Sequence, residues 1–148
     1  MKRTRILLFM LSSLVLVACA SPYDRGMQAY EEGRYQESIE HFESVKAWDE
    51  HADDAEVMIS RASYKAGRQA YENGNWDKAL QFLNQVRRDR YADARDLMGD
   101  VYYQKGREAY EEQNWTTAIN HLLMVRPESG KYQEARRLLA EVRNQSSS

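Results

Sequence analysis

Three stretches of this chain are copies of one another, and that repetition restricts the fold more than any other feature. Gly26, Ala29, Tyr30, Gly33 and Tyr35 align without gaps on Gly67, Ala70, Tyr71, Gly74 and Trp76, and again on Gly106, Ala109, Tyr110, Gln113 and Trp115. The register continues through Ser38-Ile39, Ala79-Leu80 and Ala118-Ile119, then Phe42, Leu83 and Leu122, then Val45, Val86 and Val125. A unit repeated in this way leaves an apolar face that only its neighbour can cover, so the chain must stack.

The unit reads as two helices and a turn. Small residues such as Gly67 and Ala70 let a neighbouring helix come close. Gly33 and Gly74 fall where a first helix must stop, a position that wants positive φ. The third copy has Gln113 there, at an expected cost of about 1–2 kcal/mol if Gln adopts that conformation. After the turn, Ile39, Phe42 and Val45 recur every three residues along one helical face, as do Leu80, Leu83 and Val86. With 43% hydrophobic residues and only 2 prolines, the composition is that of a packed chain.

Gly, aromatic, Gly, aromatic, Ala or Ser, then a large and a small apolar residue: this pattern resembles the tetratricopeptide repeat. The resemblance implies an all-α fold, a right-handed superhelical array of antiparallel helix hairpins (a TPR-like α-solenoid) with about three repeats and a C-terminal capping helix. Two departures are visible. The copies lie 41 and 39 residues apart, against about 34 in that family, and the usual closing proline is missing except near Pro127. Matching segments ahead of the second and third copies, Ala52–Ile59 and Tyr91–Met98, absorb the extra length. They predict long first helices over 52–73 and 91–112, with Asp53, Asp54 and Asp93 near the positive helix starts. The same segment recurs at Tyr132–Leu139 and predicts a capping helix over 131–144. Copy one lacks the lead-in, so its first helix, 23–32, is expected to be the least stable. The repeat domain is expected over 23–144, with a frayed tail at 145–148.

The N-terminus reads as an address. Lys2, Arg3 and Arg5 precede an apolar run, Ile6–Val17. Twelve helical residues rise about 18 Å, short of a bilayer core of about 30 Å, so the segment is an export signal and not a span. Leu16-Val17-Ala18-Cys19 resembles the lipobox of bacterial lipoproteins. That resemblance implies a signal peptide at 1–18, acylation (palmitate among the chains) of Cys19, the chain's single cysteine, and a short tether at 19–22. Without Asp at the second mature position, it further implies the outer membrane of the cell envelope, facing the periplasm.

In the tetratricopeptide family the first helix of each pair lines a concave groove. Carried over by position, that groove receives Tyr64, Arg68, Tyr71 and Glu72 from copy two and Tyr103, Arg107, Tyr110 and Glu111 from copy three. Copy one supplies Tyr23, Met27, Tyr30 and Glu31. Tyr and Arg suit interface anchors. The same ladder also suits packing between repeats, and Arg68 and Arg107 also suit simple i, i+4 pairs with Glu72 and Glu111. The resemblance implies a scaffold that holds a segment of another envelope protein and assists an outer-membrane or cell-wall assembly complex. Self-association, or binding of peptidoglycan or another small ligand, is the alternative.

No catalytic motif, phosphate loop or metal-ligand spacing is present, so no enzyme, cofactor or metal is expected. His41 and His121 share a repeat position that holds Phe82 in copy two, which reads as a tolerant surface. His51 stands alone in a connection. The Arg87-Arg88-Asp89-Arg90 cluster reads as a solvated connection, with contact to lipid phosphates or peptidoglycan carboxylates as the sharper possibility. The near-balanced charge, 21 basic against 23 acidic residues, gives no field for nucleic acid.

Overall fold

Each first helix ends in the same backbone lock, and the rest of the architecture follows from it. The computed structural model describes residues 20–87 and 92–146. The signal peptide expected at 1–18, Cys19, the Arg88-Asp89-Arg90 part of the basic connection, Tyr91 and the last two residues of the expected tail lie outside the described residues. Among those described, the chain forms α1 (Pro22–Glu31), α2 (Tyr35–Glu43), α3 (Ala52–Glu72), α4 (Trp76–Leu83), α5 (Ala92–Glu111), α6 (Trp115–Leu123) and α7 (Tyr132–Ser146). They make three hairpins, α1/α2, α3/α4 and α5/α6, closed by α7, and every helix packs on the next. The fold is an all-helical, TPR-like solenoid.

At the end of α3 the Gly74 N–H donates to the Tyr71 carbonyl at 2.9 Å and the Asn75 N–H to the Ala70 carbonyl at 2.9 Å. This is the Schellman pairing, which needs one left-handed residue. Gly33 (φ 75°) and Gly74 (φ 71°) supply it in the first two copies. In the third copy Gln113 does so at φ 59°, the only non-glycine residue with positive φ among those described. The aromatic residue that opens each second helix then folds back on the first helix's tyrosine. Ring centroids lie 5.5 Å apart for Tyr30 and Tyr35, 5.3 Å for Tyr71 and Trp76, and 5.6 Å for Tyr110 and Trp115.

The hairpins close on glycine. A Cβ on Gly67 would lie 2.7 Å from the Leu83 side chain, and Gly26 and Gly106 stand in the same relation to Phe42 and Leu122. The core runs between hairpins as well as within them. Phe42 packs with Ala55 and Met58, Leu83 with Val86, Ala94 and Val101, and Leu122 with Ala135, Leu139 and Val142. The residues spaced by three therefore face both their own first helix and the next one.

Three expectations are corrected. Ser21 and Pro22, expected in a tether at 19–22, belong instead to α1, Ser21 as its cap and Pro22 as its first residue. The Asp24 N–H donates to the Ser21 hydroxyl oxygen at 3.0 Å, and Asp24 accepts in return from the Ser21 hydroxyl and N–H, a capping box. Those bonds hold the Asp24 carboxyl below the ordinary carboxylate range. Gln145 and Ser146, expected in a frayed tail at 145–148, belong instead to α7, the Ser146 hydroxyl donating to the Arg143 carbonyl. The position shared by His41, Phe82 and His121 is not open surface: the two histidines are half-buried. Phe82 is buried against Ile39, Ala62 and Ala66, because the following first helix covers that side of a second helix.

Candidate functional site

The ladder of tyrosines lies half-buried along the first helices. Tyr64 and Tyr71 pack on the cluster that holds Leu83, Ala94 and Val101. Tyr103 and Tyr110 pack one repeat further, on the cluster of Leu122, Leu139 and Val142. The Lys131 ammonium sits 5.9 Å from the centre of the Tyr103 ring. In the first copy Tyr23 stacks on His51 at 4.5 Å and tilts against Phe42 at 5.5 Å, with Met27 beside it. Glu31 is exposed. Each tyrosine therefore joins a first helix to the core while keeping part of its ring at the surface.

The charged members stand outside this floor. Arg68 pairs with Glu72 at 3.2 Å and Arg107 with Glu111 at 3.5 Å, one turn apart on α3 and α5. Both pairs are exposed, so each contributes only a few tenths of a kcal/mol and opens readily. Between the two hairpins the Trp76 indole N–H donates to the Glu108 carboxylate and the Lys105 ammonium pairs with Asp77. The Arg68–Glu72 and Arg107–Glu111 pairs thus occupy one repeat position on adjacent hairpins that are tied together. The arrangement offers area, alternating charge and no nucleophile held by a base.

The family model for the RNPP family C-terminal domain matches residues 27–122. The chain belongs to that family. No curated protein matches it. The match corrects the identification as a tetratricopeptide-repeat lipoprotein. Hairpin stacking by small residues and aromatics is common to TPR-like arrays, so the motif specifies the stacking and not the family. The RNPP-type domain is a helical unit for peptide binding or protein interaction.

Among the described residues of this RNPP-type domain, no group of three His, Cys, Asp or Glu side chains is placed to hold a metal ion, and no helix is long and apolar enough to cross a membrane. His121 faces Tyr102, with ring centroids 6.4 Å apart. Burial, and to a smaller extent the Lys105 ammonium, hold its imidazole below the ordinary histidine value, with Asp77 pulling the other way. A base held below its unfolded pKa takes up its proton more readily in the unfolded chain. Its contribution to stability is present above the unfolded value, about 6.5, and is lost as pH falls from there through the folded value. The thermal midpoint should fall as the pH drops below about 6.5. His121→Phe, which copies Phe82, should flatten that slope, and an unchanged slope would assign it to other groups.

Sequence reasoning passed over several exposed features. Trp48, in the connection between α2 and α3, is 85% exposed, and Leu123 and Met124 are more than half exposed at the end of α6. Arg95 and Arg126 share a cleft with Met124. Leu123 and Met124 follow Leu122 directly, and that run of apolar residues past the repeated position was the available signal.

Proposed function

We propose that this protein is a non-enzymatic adaptor that holds a peptide segment of another protein along the first helices of its hairpins. The observation that carries the reading is the register of Arg68–Glu72 and Arg107–Glu111 over the half-buried Tyr64, Tyr71, Tyr103 and Tyr110. An exposed pair that is worth little when closed can open, offering a guanidinium to a carboxylate and a carboxylate to a cation. The tyrosines beneath supply apolar area with a polar tip. Membership of the RNPP-type family supports a peptide as the ligand.

A photo-crosslinking residue in place of Arg68, read by mass spectrometry from living cells, tests this. One dominant adduct with another protein is the expected result, weakened when Arg107 is replaced by Glu. Adducts only between copies of this chain would put self-association in its place, and adducts only with glycan fragments would put the peptidoglycan alternative there.

The address is a separate proposal and rests on the first nineteen residues. A basic start, a short apolar run and Leu16-Val17-Ala18-Cys19 support export, acylation at Cys19 and attachment to the outer membrane with the helices facing the periplasm. The partner would then be another envelope protein of an outer-membrane or cell-wall assembly complex. Ser21 already caps α1, so the domain would lie close against the bilayer. Cys19→Ser should move the protein from the membrane fraction to the soluble one, and unchanged fractionation would remove this address.

A further inference from the structure

The hairpin turns lie at one edge of the stack, and the opposite edge is where second helices end and the next first helices begin. In the second hairpin this edge is closed by polar contacts. The Arg87 N–H donates to the Ser60 hydroxyl oxygen at 2.9 Å, the Ser63 hydroxyl donates to the Gln85 side chain at 3.1 Å, and the Arg87 guanidinium lies 3.7 Å from the Glu56 carboxylate. The third hairpin replaces all but one of these residues at the same repeat positions. Glu56 becomes Arg95, Ser60 becomes Gly99, Ser63 becomes Tyr102, Gln85 becomes Met124, and only the arginine persists, as Arg126.

At this edge of the third hairpin lies a cleft of about 220 Å³ whose lining includes Arg95, Arg126, Met98, Gly99, Tyr102 and Met124. Where copy two has one cation facing one anion, copy three has two cations. Neither Arg95 nor Arg126 has an ion-pair partner among the described residues. Two like charges converging on one space repel unless an anion lies between them, and paired guanidinium forks match a carboxylate. Asn84 lines it as well, and the remaining walls are apolar. Met98 and Tyr102 are half-buried, Met124 is 52% exposed, and the Tyr102 ring is backed by His121. A bare anion would leave those walls unused, and thioether side chains adapt to varied apolar groups.

We propose that this cleft binds a carboxylate carried beside an apolar side chain on a peptide. The carboxylate comes from a peptide C-terminus or from an acidic side chain. The site is distinct from the face formed by Arg68 and Arg107 and stands or falls separately from it. Arg126 also rims a second recess floored by Leu122, Val125 and Leu139, which gives the rest of the peptide a continuous path along α6 and α7.

The test uses the full chain with methyl-labelled methionines and three fluorescein-labelled peptides. The first is Gly-Ser-Ala-Ala-Leu as the free acid, the second its amide, and the third the amide with Glu in place of the last Ala. The expected result is binding of the first or third, which identifies the source of the carboxylate, with shifts of the Met98 and Met124 methyl signals. The neutral amide should bind at least tenfold more weakly. Arg95→Glu, which restores the pairing that Glu56 gives Arg87, should weaken binding at least tenfold, while Arg25→Glu on α1 should leave it unchanged. Equal binding of all three peptides, binding without the methyl shifts, or full binding by the Arg95→Glu protein would overturn the proposal. Displacement of the peptide by an equal concentration of inorganic phosphate would overturn the preference for a carboxylate beside an apolar group.

Discussion

Leu83→Ala should destabilise the protein by about 2–5 kcal/mol, and Gly67→Ala should make part of that loss disappear. Leu83 is fully buried, so its removal costs transfer free energy plus a cavity. Gly67 alone should also be intolerant. Its added Cβ would lie 2.7 Å from the Leu83 Cγ and 2.8 Å from a Cδ, an overpacking that costs about 1–3 kcal/mol. In the double variant the new methyl enters the space that Leu83 leaves. Its loss should therefore be smaller than the sum of the two single losses, a coupling that residues in direct contact show. Urea unfolding followed by circular dichroism measures all three. Simple additivity would mean that the hairpin relaxes apart at this point and that the repeated glycine is not there for close approach.

The second large effect concerns the hairpin turn. Gly74 sits at φ 71° with only the Trp76 ring edge near its missing side chain, at 3.9 Å, so space is not what requires glycine. Conformation is. Gly74→Val should cost about 2–3 kcal/mol, since the left-handed region costs an L-residue about 1–2 kcal/mol and a β-branched one more. Gln113 provides the internal control, because it already bears that strain at φ 59°. Gln113→Gly should stabilise by up to about 1 kcal/mol, the relief being reduced by the greater freedom of glycine in the unfolded chain. A melting temperature unchanged by Gly74→Val would refute the lock that ends α3.

The helices were legible in the sequence to within a residue or two. The segment predicted at 52–73 is α3 at Ala52–Glu72, and that predicted at 91–112 is α5 at Ala92–Glu111. Periodicity, glycine stops and acidic first turns are local signals, and each copy reports them again. The family was less legible. The motif that resembles a tetratricopeptide repeat is the signature of one helix pair closing on small residues, and families that stack such pairs share it. Only the match over residues 27–122 distinguished the RNPP-type domain.

The candidate site divides in the same way. Arg68 and Glu72 could be paired from their spacing, because residues one turn apart always meet on a helix. That Tyr64 and Tyr71 serve the core of the next repeat as well as the surface needed the neighbouring helix in place. The character of the position held by His41, Phe82 and His121 likewise depended on what covers it, and substitution of His by Phe was compatible with either answer.

What the sequence by itself determined is the repeated unit, its turn and its order in the chain, since these depend on contacts between residues close in sequence. What only the tertiary structure decided is the other edge of the stack. Arg95 begins one helix and Arg126 follows the end of another, and no local rule relates them. They line one cleft because α5 and α6 pack antiparallel, so that the start of one lies beside the end of the other. The exchange of Glu56 for Arg95 was readable as a letter, but its meaning, two cations with no ion-pair partner among the described residues on one largely apolar cleft, exists only once the hairpin is closed.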